Sequence, residues 1–295
     1  MNRHDPSESR THDRSAAERA DLDQRQPTGR SGRSDALFLA GLIGLFSSYV
    51  LLIVGLLAAL ASFTSPGHLW EAVGTEEIRY ALRLSLVSCT LSTLLSLWVA
   101  VPAGYVLSRY SFRGKSLVDA VLDIPIVLPP LVIGLALLIL FQTPLGRFVE
   151  QRLRIPVTFA VPSVVLAQFT VACAFAVRTM RVTFDQIHPR TEQVAMTLGC
   201  SRSQAFWMVT LPEARRGLLT AATLAWARSL GEFGPILVFS GATRMRTEVL
   251  PTTVFLELSI GNIEAAAAVS LVMVVTALVV LLVTRIFGLR GTGLI

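Results

Sequence analysis

Long apolar stretches dominate the chain. Residues 36–63, 84–107, 124–141, 155–177 and 265–284 contain no Asp, Glu, Lys or Arg. A sixth stretch, 217–239, is equally apolar except for Arg228 and Glu232. A helix needs roughly 20 such residues to cross a bilayer. The runs are continuous, without the alternation a membrane β-barrel requires, and only helices or closed barrels satisfy the backbone in lipid. The pattern therefore predicts an all-α membrane protein, a polytopic bundle of six transmembrane helices. The expected spans cover about 36–63, 80–107, 118–141, 155–177, 217–239 and 265–287.

Composition agrees with that pattern: 53% of the 295 residues are hydrophobic and only 16% are charged, against about 25% charged in soluble domains. Basic residues set the orientation. With both termini inside (N-in, C-in), the cytoplasmic pieces are 1–35, 108–116, 178–216 and 285–295, and they hold 18 of the 26 basic residues. The net charge of +6 is then a topology signal. No soluble basic domain exists to bind nucleic acid, so that reading falls away. Residues 1–35 are rich in Arg, Asp, Glu and Ser and poor in large apolar residues, which predicts a disordered cytoplasmic tail in front of a membrane domain at 36–295. The tail is not read as a signal peptide, because the apolar block after it is too long and lacks a small-residue cleavage site.

Details along the spans suggest where a pathway could lie. Asp123, Pro125, Pro129 and Pro130 cluster near the start of the third span. Prolines there break backbone hydrogen bonds, which a membrane tolerates only beside protein or a water-filled cavity. Either a pathway wall or packing against a neighbouring helix explains them. Ser85, Ser88, Ser92 and Ser96 share one face of the second span, where small polar residues make close helix–helix contacts or line a hydrated path. Arg228 and Glu232 are four apart on the fifth span, and charges in mid-membrane are expected to face the bundle interior. Together with Phe233 they either gate a pathway or lock the span to a neighbour. Trp70 fits an interfacial anchor in the external loop 64–79. Cys89 and Cys173 lie within spans and Cys200 in a loop, so neither a disulfide nor a metal site is expected. No internal repeat is visible, in contrast to many secondary transporters.

Residues 192–212, EQVAMTLGCSRSQAFWMVTLP, form a polar, helix-forming loop between two long apolar stretches. A short helix over 190–200 is expected to end at Gly199, where a left-handed cap suits glycine. Ser201 or Ser203 can cap a second helix over 204–209, with Ala205, Phe206 and Val209 on one face. Pro212 suits the first turn of a further helix. Arg215 and Arg216 are expected at headgroup level. Exposed Phe206 and Trp207 call for a partner surface to bury them.

The segment Glu192-Gln-Val-Ala195-Met-Thr-Leu-Gly199, followed by Phe206 and then Leu211-Pro212, resembles the EAA loop of ATP-binding-cassette importer permeases. Gln193, Val194 and Cys200 depart from the family pattern but conserve size. The resemblance runs from about residue 75 to the end. It implies a cytoplasmic coupling loop at 178–214 that fits a groove on ATPase subunits. ATP binding there would swing the spans between inward-open and outward-open states. The chain has no G-x-x-x-x-G-K-S/T, so it is expected not to be an enzyme and to bind no cofactor. ATP and Mg would belong to the partner ATPase. An external solute-binding protein and a second permease copy, giving a homodimer, are the other implied partners. The bacterial or archaeal plasma membrane is the implied location.

Two further segments narrow the resemblance. Arg228-Ser-Leu-Gly231-Glu232-Phe233-Gly234-Pro235 looks like a segment of molybdate, tungstate and sulfate permeases, and Thr247-Glu248-Val-Leu250-Pro251 resembles the one that follows it there. An oxyanion substrate is implied, molybdate or tungstate first, with sulfate or thiosulfate as the alternative and a secondary transporter or channel acting alone as the rival class. Arg244 and Arg246 at the expected outer mouth, with the N-terminus of a short helix starting at Pro251, would supply a positive field and N–H donors.

Overall fold

A computed structural model describes residues 31–64, 67 and 73–290. The expected anchor Trp70 and tail residues 1–30 lie outside them. Helices make up the described architecture, with no strand among the described residues. The chain divides into two units at Ala59–Leu60. Helix α1 (Ser31–Ser62), 32 residues long, begins inside the expected tail. Its side chains are exposed from Asp35 to Ala59 and apolar on all sides, as suits a helix that faces lipid.

In the second unit, helix α2 (Glu76–Arg109) has 34 residues. At about 1.5 Å per residue that is roughly 51 Å, well beyond a hydrocarbon core of about 30 Å, so one end projects from the bundle. Helices α3 (Lys115–Val127) and α4 (Pro130–Gln142) have 13 residues each and meet at a bend of 111°. The expected span over 118–141 is therefore bent, at the prolines expected to break backbone hydrogen bonds there. Leu128 and Pro129 are extended, at ψ 142° and 133°, because a residue before proline is pushed out of the helical region. Pro130 then starts α4, where a missing N–H costs nothing.

Helix α5 (Pro144–Leu153) follows, capped by Thr143, whose hydroxyl accepts the Gly146 N–H. Glu150 accepts the N–H groups of Val157 and Thr158 and the Thr158 hydroxyl at 2.9–3.0 Å, which pins the link to helix α6 (Val161–Gln186). These bonds, led by the Thr158 N–H, hold the Glu150 carboxyl below its ordinary range.

Helix α6 runs nine residues past the expected span end. Its polar extension is sheltered by ion pairs to α3: Arg178 Nη1–Asp123 Oδ2 at 3.0 Å and Arg181 Nη1–Asp119 Oδ1 at 2.6 Å. The next segment carries helix α7 (Pro189–Thr197), helix α8 (Arg202–Ala205), a π-turn at Phe206–Thr210 and helix α9 (Leu211–Glu213). Helices α10 (Arg215–Leu230) and α11 (Gly234–Phe239) replace the single expected span over 217–239. The chain breaks at Gly231–Phe233, just ahead of Pro235. Helices α12 (Leu250–Ser259) and α13 (Ile263–Arg290) complete the fold. Among the described helices four are long and apolar enough to cross a membrane, or five if the bent pair counts as one crossing.

Packing centres on α2 against α6. The serine stripe is a packing seam. All four serines are buried, Ser92 donates to the Val165 carbonyl at 2.9 Å, and Ser85 accepts the Leu250 N–H at 2.9 Å. Interhelical hydrogen bonds of this kind are worth about 0.6 kcal/mol each in membranes. The close approach is the larger gain: at Gly104 a Cβ would lie 2.8 Å from the Met180 Cβ. Gly217 likewise brings α10 onto Thr183, and the reciprocal pair Gly134 and Gly234 joins α4 to α11 at their breaks.

Candidate functional site

Two places carry the chemistry singled out in the sequence: the segment after α6, and the broken middle of the bundle. In the first, local signals behave largely as expected. His188 caps α7, its Nδ1 accepting the Arg190 N–H at 3.1 Å, and Pro189 takes the first turn. The helix stops at Thr197, and Gly199 lies at φ 97°. Ser201 caps α8 in a reciprocal box with Gln204: the Gln204 N–H donates to Ser201 Oγ, and the Ser201 N–H to Gln204 Oε1 at 2.8 Å. The turn expected before Pro212 is absent. The Leu211 N–H reaches back five residues to the Phe206 carbonyl. The widened turn makes room for the Pro212 ring, which clashes with the carbonyl four residues before it in a regular helix.

The long-range ties of this segment were not visible in the sequence. Glu192 is only 8% exposed. Its Oε1 takes Arg109 Nε at 2.9 Å and its Oε2 takes the Tyr105 hydroxyl at 2.9 Å. Arg109 Nη2 also donates to the Ile187 carbonyl at 2.9 Å. Arg202 Nη1 donates to the Tyr110 hydroxyl at 2.9 Å. The segment is thus strapped to the projecting end of α2. Phe206 is a correction: it is half-buried, 4.7 Å from the Tyr105 ring and 6.3 Å from the Phe184 ring, packed on its own chain. The large apolar side chains left outward are Val194, Leu198, Trp207 and Met208, at 57%, 81%, 62% and 69% exposure. Ala195 is buried, Leu211 is half-buried and Pro212 is exposed.

Gly199→Val tests the local part of this geometry. Nothing lies within 4 Å of a Cβ there, so the cost is conformational, about 1–3 kcal/mol for a β-branched residue held at positive φ. If the turn docks ATPase subunits, as the resemblance implies, the expected result is weaker retention of those subunits on purification with unchanged membrane insertion. Full retention and normal uptake would remove the docking role of this turn.

In the middle of the bundle, Arg228 Nη1 lies 2.8 Å from Glu232 Oε2, and the guanidinium sits 5.7 Å from the Phe175 ring. Glu232 is 1% exposed, so its carboxylate faces inward, while the Arg228 side chain stays part-exposed. The Phe233 ring packs, tilted, 5.3 Å from the Phe255 ring of α12. Pro129 and Pro130 form the bend of α3 and α4, and Pro130 meets Gly234. Asp123 stands apart from this centre, in its ion pair with Arg178.

The outer-mouth expectation changes more. The N-terminus of α12 is closed to an anion: Leu250 is fully buried and its N–H is taken by Ser85. Arg244 is paired to Glu257 at 2.7 Å, whose other oxygen accepts from Asn262 at 3.2 Å. Arg246 is exposed, its carbonyl accepting the Tyr80 hydroxyl at 3.0 Å. Fully buried Glu248 was not anticipated. Burial raises its carboxyl above the ordinary range, against the pull of Thr253 and Arg244.

The chain is thus a helical membrane bundle with two broken helices packed together and a structured hook strapped to one end of α2. The chain belongs to the family of binding-protein-dependent transport system inner membrane components, whose model matches residues 92–290. It is thus a multi-pass inner-membrane permease subunit of the ATP-binding-cassette class. A probable molybdenum ABC transporter permease of Haloferax volcanii is 38% identical over 256 residues, 87% of this chain and 90% of that protein. The molybdate/tungstate transport system permease of Pyrococcus abyssi is 34% identical over 211 residues, covering 70% and 79%. The sulfate transport system permease CysT of Salmonella typhimurium is 31% identical over 214 residues, covering 72% and 77%. A bacterial alginate ABC transporter in complex with alginate pentasaccharide-bound periplasmic protein has a chain of the same fold, with a TM-score of 0.71 at 16% identity, covering 88% of this chain and 96% of that one.

Proposed function

We propose that this chain forms the translocation pathway of an ATP-driven importer for molybdate or tungstate, as a homodimer driven by two ATPase subunits and supplied by an external solute-binding protein. The observation that carries the ATP-driven part is the hook: an apolar face of Leu198, Trp207 and Met208, fixed by buried Glu192 to the end of α2. A surface so built is suited to receive a push and pass it to the bundle. In this reading the hook end lies in the cytoplasm, ATP and Mg belong to the ATPase subunits, and this chain does no chemistry. A channel or secondary transporter acting alone is set aside by the family.

The anion rests on the relatives. The permeases of Haloferax volcanii and Pyrococcus abyssi bear molybdenum and molybdate/tungstate names at 38% and 34% identity. Sulfate is the second reading, favoured by the sulfate permease match at 31%. Cells lacking the gene are expected to lose molybdoenzyme or tungstoenzyme activity at trace oxyanion and to regain it when the medium is loaded with that anion. Sulfur auxotrophy on sulfate with intact molybdoenzyme activity would select the sulfate reading instead.

A further inference from the structure

A groove of about 440 Å³ lies between α6 and α10, on the side of the bundle that carries the hook. Arg178, Thr179, Thr183 and Gln186 line it from α6, and Arg216 and Thr220 from α10. Gly217, also in its lining, lets the two helices close up: a Cβ there would run into the Thr183 side chain. Polar residues recur at helical spacing on both facing surfaces. Charged and polar groups in a membrane bundle face water or protein rather than lipid, because exposing them to hydrocarbon costs several kcal/mol.

The donors in the groove select a negative ligand. The hydroxyls of Thr179, Thr183 and Thr220 donate to carbonyls of their own helices at 2.8–3.0 Å. They therefore present oxygens, not free donors. The strong donors are the two guanidinium groups and the Gln186 amide. Arg178 gives Nη1 to Asp123 at 3.0 Å, and a guanidinium carries five N–H donors, so it keeps others. Planar forks of this kind match the edges of a tetrahedral oxyanion. On the same surface of α6, just before Arg178, the Phe175 ring meets the guanidinium of Arg228, which holds Glu232.

We propose that this groove is an anion site in which Arg178 and Arg216 hold a tetrahedral oxyanion group on the hook side of the Arg228–Glu232 pair. The inference rests on the importer reading above. Two sources share that chemistry: the transported oxyanion leaving the pathway, or the phosphate of an anionic lipid.

The test uses the permease–ATPase complex in lipid nanodiscs without the binding protein. Radiolabelled tungstate is titrated at low ionic strength into wild type, Arg216→Gln, Arg216→Lys and Arg178→Gln. In phosphatidylcholine discs wild type is expected to bind tungstate saturably, Arg216→Gln about tenfold more weakly, as loss of one charged hydrogen bond implies, and Arg216→Lys in between. A second arm uses discs containing phosphatidylglycerol. Arg216-dependent retention of that lipid, with no tungstate binding in phosphatidylcholine, would support the site and assign it to lipid phosphate. Equal tungstate affinity and equal lipid retention in wild type, Arg178→Gln and Arg216→Gln would overturn it. Uptake assays with the binding protein separate the two levels. If wild type imports molybdate or tungstate while the groove variants bind normally, only the groove fails. If Arg216-dependent binding persists but wild type imports no oxyanion, the importer reading fails and the groove stands.

Discussion

Glu192→Ala is expected to cut ATP-driven uptake by roughly tenfold or more while leaving the protein in the membrane. Glu192 and Arg109 are each only 10% exposed at the side chain, and their nearest N and O atoms are 2.9 Å apart. Removing the carboxylate strips Arg109 of its partner and Tyr105 of its acceptor. Losing one side of a buried charged pair costs about 3–5 kcal/mol, and a single charged hydrogen bond about 1.5–3. The site lies at the end of the bundle, so the lower range applies. That is still enough to loosen the hook from α2, because the ties that remain are one Arg109 bond to the Ile187 carbonyl and the contacts of Arg202 with Tyr110 and of Phe206 with Tyr105, the last two nearer the surface. Purified complex should then carry fewer ATPase subunits, and uptake should fall by roughly tenfold or more, the equivalent of about 1.4 kcal/mol. Glu192→Gln, which keeps an acceptor for Tyr105, should fall less. A double-mutant cycle with Arg109→Gln should give a coupling energy within about 0.5–3 kcal/mol. Normal subunit retention and uptake in Glu192→Ala would show that the strap carries no force.

The hook was legible in the sequence because its signals are local. Gly199 at positive φ and the Ser201 cap each concern a few neighbouring residues. What Glu192 does was not legible, because its partners are 83 and 87 positions away and nothing in the loop points to them. Phe206 failed for the same reason. An aromatic residue in a polar loop looks exposed until Tyr105 and Phe184 arrive from α2 and α6.

The spans show a second limit. Composition marks apolar stretches but does not say that they are straight. The prolines marked a disturbance at Leu128–Pro129 but not a bend of 111°, and the break at Gly231–Phe233 lies inside sequence as apolar as any span, so two expected crossings became bent or divided helices. Conversely, charge was taken to end α6 near Val177, yet the helix continues to Gln186 because Asp119 and Asp123 of α3 meet its arginines. At the outer mouth the same blindness to pairing gave Arg244 a free charge that Glu257 neutralises.

Gly134→Val should do the opposite of Glu192→Ala, blocking transport while the ATPase stays attached. A Cβ at Gly134 would lie 2.7 Å from the Pro235 Cα and 3.0 Å from its carbonyl oxygen. On the facing element, a Cβ at Gly234 would lie 2.9 Å from the Pro130 Cβ. The two broken helices therefore lock through each other's glycines, proline against glycine on both sides. A bulkier residue at Gly134 meets backbone, which cannot rotate away as a flexible side chain can. Overpacking typically costs about 1–3 kcal/mol and occasionally more, and contact with backbone puts this case at the upper end. The strain falls on α11, directly after Glu232 and Phe233, so the Arg228–Glu232 pair should shift while the hook, at the end of α2, does not. The complex should therefore purify with its ATPase subunits, unfold at a lower temperature than wild type and lose most of its coupled uptake, with Gly134→Ala intermediate. Gly41→Val in α1, where nothing lies within 4 Å of a Cβ, is the control and should change neither property. If Gly134→Val kept the wild-type midpoint and uptake, the seam between the broken helices would not be a moving part. If it lost its ATPase subunits as Glu192→Ala does, the hook and the broken helices would be one mechanical unit rather than two.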